Sequence, residues 1–287
     1  MMPDLLAPFA YGYMVKAMWV SALVGATCAF LSCFLMLKGW SLMGDALAHA
    51  VVPGVALAYL VKLPFSLGAF VAGGLAALAM AFVRAQTRLR EDAVIGLVFT
   101  AFFAAGLLLV SINPTSVNVQ SIVLGNILAI SDWDAMQVVV ISGVTFGILL
   151  LVWKDLMAVF FDAAHARSIG IEPMRLQILF FTLLSAATVA ALQTVGACLV
   201  IAMVVTPGAT AYLLTDRFPV LLVMAVALGA GTSFIGAYLS FFVDGATGGV
   251  IVSLQTLIFL AAFVFAPRHG LLAQRRRRDA AIAGPLP

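Results

Sequence analysis

Nine apolar runs, each near the roughly 20 residues that a helix needs to cross a bilayer, occupy most of this chain. They fall near 14–37, 44–61, 65–83, 92–110, 135–153, 176–193, 196–214, 219–240 and 248–266. In hydrocarbon every backbone N–H and C=O must find an internal partner, so runs of this length read as helices. With 64% hydrophobic and only 9% charged residues over 287 positions, little is left from which to build a separate soluble domain. The expectation is an all-α polytopic membrane protein. One transmembrane domain covers 1–267, and a basic, disordered cytoplasmic tail covers 268–287. Breakers interrupt two runs, Pro53-Gly54 in the second and Pro207-Gly208 in the seventh. An eight-span arrangement stays open if one segment is re-entrant.

Orientation follows from the basic residues of the short loops. With the N-terminus outside, the cytoplasmic side receives Lys38, Arg84, Arg88, Arg90, Lys154, Arg167, Arg175, Arg217, Arg268 and Arg275–Arg278. Only Lys16 and Lys62 then lie outside, so the chain reads as N-out and C-in. The N-terminus lacks a signal-peptide pattern, and the first span is expected to be retained. Cys28, Cys33 and Cys198 sit within apolar runs without a CxxC spacing and read as small buried residues.

Within the second run, SLMGDALAHAVVPG (Ser41–Gly54) carries Asp45 and His49 four residues apart, one turn from each other on one helix face. A carboxylate at a membrane helix centre costs roughly 2.5–3.5 kcal/mol even on the lenient scale, so it needs a partner or a role. Asp and His together suit a divalent metal of intermediate hardness. Pro53 denies the His49 carbonyl its helical donor, and Gly44, Ala46, Ala48 and Ala50 allow close helix approach. A metal or proton site between packed helices is one reading; a structural Asp–His hydrogen bond without a ligand is the other.

Two connections stand out. Ser111–Asp134 is the longest external segment, and its apolar middle reads either as a surface helix that docks a partner or as an ordinary amphipathic connector. Lys154–Arg175 is the main cytoplasmic loop, with Asp162 as an N-cap, a short helix through Arg167, Gly170 as its stop and Pro173 before the next span. Such a projecting helix can serve as a lever for a soluble partner, while His165 on it reads as solvated. In the seventh run Thr206 and Thr210 can offer donors beside Pro207 and Gly208, where a simple packing kink is the other reading. The tail tetrad fits contact with anionic lipid rather than nucleic acid.

The chain has no GxxxxGK[ST], no HExxH and no GxSxG, so it carries no P-loop and neither of those hydrolase signatures. Asp45/His49 is its one convincing intramembrane ionisable cluster. That fits passage powered from outside the chain better than an ion-coupled pump.

Four stretches, in order, resemble the permease subunits of the manganese/zinc/iron family of ABC importers. They are GWSLMGDALAHAVVPGVALAYL (Gly39–Leu60), LGNILAIS (Leu124–Ser131), FFDAAHARSIGI (Phe160–Ile171) and QTVGACLVIAMVVTPGATAYLLTDR (Gln193–Arg217), and the similarity runs from about Tyr13 to Pro267. The resemblance implies a compact importer fold like that of cobalamin and siderophore permeases, paired about a twofold axis in a prokaryotic plasma membrane, the inner one in a Gram-negative cell. It implies a transient metal site on Asp45 and His49, no permanently bound cofactor, and a divalent ion as substrate. A helix break at Pro53, Thr206, Pro207 and Gly208 would line the pathway. Phe161, Asp162, Ala166 and Gly170 would form the loop that couples to a cytoplasmic ABC ATPase, the subunit that hydrolyses ATP. Other implied partners are a second permease, identical or homologous, and an extracytoplasmic metal-binding protein. The wording of the motifs is closest to manganese and iron members. A zinc importer, a metal-chelate permease, a stand-alone carrier and a membrane enzyme using Asp45/His49 are the rival readings.

Overall fold

The computed structural model describes residues 5–40, 42–87, 89–112, 127–267 and 270–273, and among these it is helical with no strand. The helices are α1 (Ala7–Ala10), α2 (Gly12–Lys38), α3 (Met43–Ala50), α4 (Val52–Val61), α5 (Phe65–Gln86) and α6 (Glu91–Ile112). After a 3-10 turn at Ile127–Ala129 come α7 (Asp132–Phe161), α8 (Ala163–Ser168), α9 (Pro173–Val195), α10 (Ala197–Leu214), α11 (Phe218–Val243) and α12 (Thr247–Phe265). Most of the outer segment expected over Ser111–Asp134, and the tail apart from 270–273, lie outside the described residues.

Side-chain contacts fix which ends of the helices share a side. At one end Lys16, early in α2, donates to the Asp132 carboxylate at the start of α7 at 2.7 Å and to the Ile130 carbonyl. Ser66 at the start of α5 donates to Gln137 in α7. Tyr11 meets Phe241 near the end of α11, and the Ser240 and Thr247 hydroxyls join α11 to α12. At the other end Phe34 of α2 meets Phe160 at the end of α7, Phe180 in the first third of α9 and Phe218 at the start of α11. Because α9 and α11 both begin at this second end, α10 runs back between them. Among the described residues eight helical segments are long and apolar enough to cross a membrane, α3 and α4 counting as one, and α10 is shorter, with a described apolar part of Leu199–Leu214.

Both expected helix breaks take a different form. The second run is broken at Val51, two residues before Pro53, because a proline is tolerated in the first turn of a helix, where its missing N–H has no partner to lose. The Val51 N–H turns to the His49 carbonyl that Pro53 would have orphaned. The seventh run is not broken: α10 continues through Pro207. Gly208 sits there against Ser32 of α2, where a Cβ would strike both its hydroxyl and its backbone.

Lipid tails are as apolar as leucine, so what holds these helices together is close packing rather than the hydrophobic effect. α2 is buried on nearly all sides and forms the centre of the bundle. It crosses α11 at Gly25 and Gly229, where a Cβ on either residue would land on the carbonyl of the other. α4 and α5 meet in the same way at Gly54 and Gly68. Overpacking such a contact costs about 1–3 kcal/mol. Gly229→Leu is therefore expected to lower stability in a detergent unfolding titration by about that amount. Gly231→Leu, on the same helix with open space before it, serves as the control and is expected to change little.

Candidate functional site

α3 is eight residues long, and half of it is Gly or Ala. Gly44 lets Val204 of α10 pack directly on its backbone, while Met43, Ala46, Leu47, Ala48 and Ala50 are buried. Asp45 and His49 are the exceptions, with side chains 36% and 25% exposed. His49 lies roughly 9 Å along the helix from Met43 at 1.5 Å per residue, so the pair is closer to the second end of the bundle than to the first.

The His49 Nε2 and Asp45 Oδ1 atoms are 3.4 Å apart. That exceeds the 2.7–3.2 Å of a good N–H···O bond, so the contact leaves lone pairs on both groups available to a third atom. α6 supplies the wall: His49 is edge-on to Phe99 at 5.6 Å and to Phe103 at 5.5 Å, and the two phenyl rings stack on each other. This clamp fixes the imidazole plane. Sequence reasoning missed it, although Phe99 and Phe103 are four apart and so share a helix face. Gly106, less than a turn further along α6, lets Pro53 seat against the α6 backbone.

Among the described residues no cluster of three or more His, Cys, Asp or Glu could hold a metal ion. The chain thus offers one carboxylate and one imidazole on a partly open face, two ligands of the four or more that divalent ions usually take. Pro53 stands one turn beyond this pair. Thr206 and Pro207 face a small void lined by Leu228, Thr232, Gln255 and Ile258 of α11 and α12, and Gly208 faces α2. These three are not brought to Asp45 and His49.

The residues of the loop that the sequence places in the cytoplasm come together as a unit. α7 ends at Phe161, and Asp162 caps α8 at once, accepting from the N–H groups of Ala164 at 2.8 Å and His165 at 3.1 Å. Ala166 is fully buried against the body, whereas Phe161 (67% exposed) and Ile169 (56% exposed) flank α8 as apolar knobs facing out. Gly170 adopts a φ of +85°, which favours glycine, and ends the helix with its N–H on the Arg167 carbonyl. Arg175 pairs with Glu172 just ahead of α9. His165 is exposed, as the sequence implied.

The model of the family described as the ABC 3 transport family matches residues 10–266. The chelated iron transport system membrane protein YfeC of Yersinia pestis is 72% identical over 277 residues, covering 96% of this chain and 94% of that one. The manganese transport system membrane protein MntB of Synechocystis sp. is 48% identical over 286 residues, covering 99% and 92%. Among solved structures, PsaBC from Streptococcus pneumoniae in complex with Fab superposes with a TM-score of 0.84 at 31% identity, covering 96% of this chain and all of that chain.

The two backbone N–H donors, with smaller help from His165 and Lys38, hold the Asp162 carboxyl below its ordinary pKa. The cap is therefore fully present at neutral and mildly acid pH and is lost only as the pH falls through that lowered value. Asp162→Ala is expected to raise tryptic cleavage at Arg167 roughly five-fold at neutral pH, what losing a capping oxygen does to a helix start. Asp162→Asn, which keeps an acceptor, is expected to retain most of the protection.

Proposed function

We propose that this chain, which belongs to the ABC 3 transport family and is the multi-pass inner-membrane permease of a bacterial ABC importer, carries ferrous iron or manganese across the membrane past Asp45 and His49. The chain is not an enzyme; ATP is hydrolysed by a separate subunit. The observation that carries the metal reading is the Asp45–His49 pair, loosely spaced at 3.4 Å and partly open on an otherwise apolar face. Two such groups leave a small divalent ion undercoordinated, so a second permease presents its own pair across a shared axis, and together they make a carboxylate–imidazole site. Ligands of this intermediate hardness suit Mn²⁺ and Fe²⁺. The similarity to relatives named for iron and for manganese transport points the same way. A site in transit must also release its ion, and a half-open site of two ligands from each subunit meets that need.

The exposed knobs Phe161 and Ile169 about α8 seat in a groove of the cytoplasmic ATPase, so that nucleotide-driven closure moves α8 with it. An extracytoplasmic metal-binding protein delivers the ion at the far end of the bundle. Pro53, at the start of α4, lines the way past His49, while Thr206, Pro207 and Gly208 shape the far side of α10.

Uptake of radioactive Mn²⁺ and Fe²⁺ into vesicles that hold the permease with its ATPase and binding protein tests this reading. ATP-dependent uptake is expected, falling at least about ten-fold in Asp45→Ala and in His49→Ala while the complex still assembles; a tenfold loss corresponds to about 1.4 kcal/mol of ion stabilisation. Full transport by both variants would remove the site. Zn²⁺ uptake alone would overturn the cargo.

A further inference from the structure

The turn ahead of α3 and the end of α7, just before α8, meet at the Trp40 ring. Trp40 is 3% exposed, five residues before Asp45. Its ring stacks on Phe181 of α9 at 5.5 Å and 28°, and meets Phe160 edge-on at 5.5 Å and 66°. Phe160 in turn packs on Phe180 at 4.8 Å and on Phe34, and lies two residues before Asp162, the cap of α8. The backbone of Trp40 is engaged on both sides. Its N–H closes the end of α2 by bonding to the Leu35 carbonyl at 2.9 Å, with Gly39 left-handed at φ +71°. Its carbonyl accepts from the Met43 N–H at the start of α3 at 3.1 Å.

α3 is a short rod bounded by the left-handed Gly39 and Trp40 on one side and by Val51 on the other. Met43 and Leu47 seat it in the core, and Val204 of α10 packs on its Gly44. The Trp40 ring, held between Phe160 and Phe181, ties its first end to α7 and α9.

We propose that Trp40 is a positioning residue that transmits displacement of α8 to α3, so that the Asp45/His49 face changes orientation with the nucleotide state of the ATPase. The proposal rests on the transport reading above. A push on α8 reaches Phe160 through a covalent link of two residues, Phe160 bears on the Trp40 ring, and the Trp40 carbonyl holds the first N–H of α3. α3, bounded by Gly39 and by Val51, is the element that the Trp40 ring would carry with it.

The test uses the complete complex in vesicles and reads ions imported per ATP hydrolysed. Trp40→Leu is expected to keep binding-protein-stimulated hydrolysis but lower that ratio at least about ten-fold, a coupling loss of about 1.4 kcal/mol. Trp40→Phe, which keeps an aromatic ring against Phe160, is expected to restore most of the ratio. Should Trp40→Leu fail to assemble, Phe181→Leu removes the opposite face of the sandwich and is expected to lower the ratio in the same direction. An unchanged ratio in the assembled variant overturns the proposal, as does a parallel fall of hydrolysis and uptake, which would mark the ring as structural only. Absence of ATP-dependent uptake in the wild-type complex would instead overturn the transport reading.

Discussion

A carboxylate and an imidazole, one helical turn apart in a segment that lipid would otherwise surround, set the terms for the structure around them. Leaving that pair against hydrocarbon costs several kcal/mol, which the free chain cannot recover from its own polar groups. The described residues supply no third ligand, and the wall beside His49 is two phenyl rings. On the proposed reading the pair is an unfinished site, completed by an ion and by the face of another permease. Its helix is short, half Gly or Ala, and separated from its continuation at Val51.

Around this helix the bundle is held by backbone crossings at glycine and by interlocked aromatic rings. The α2–α11 crossing at Gly25 and Gly229 brings backbone onto backbone and makes a rigid centre. At the second end, Phe34, Trp40, Phe160, Phe180, Phe181 and Phe218 form a continuous aromatic plate beneath the short α8. Closely interlocked rings transmit displacement, and on the proposed reading this plate carries force from the ATPase toward the ion.

Much of this was legible in the sequence, and the reasons are local. Asp45 and His49 stood out because charge in an apolar run has few benign explanations. Asp162, Ala166 and Gly170 could be read because capping and a left-handed stop depend on neighbours only a few residues away. The helix break was misplaced by two residues because proline marks a helix start as readily as an interruption, and only the course of the chain decides which. At Pro207 the same residue type leaves a continuous helix, since α2 packs closely on Gly208 and holds it in line. The Phe99–Phe103 clamp and the Trp40 sandwich were not legible. Aromatic residues abound in any membrane span, and which rings meet depends on contacts between segments fifty or more residues apart.

The central claim is that the Asp45/His49 face is completed by another permease. Phe103, half-buried beside His49, lies on that face and permits a direct measurement. In a chain freed of Cys28, Cys33 and Cys198, a cysteine placed at Phe103 should be joined by a short bifunctional maleimide, within native membranes, to another permease subunit. The account predicts a covalent permease pair, either with an identical copy or with a homologous partner given a cysteine at the matching position, formed in preference to one linked through a control cysteine at Leu151, an exposed site on α7. A Phe103→Cys chain that takes up a lipid-soluble maleimide yet never forms the pair would contradict it, and would leave Asp45 and His49 facing lipid alone.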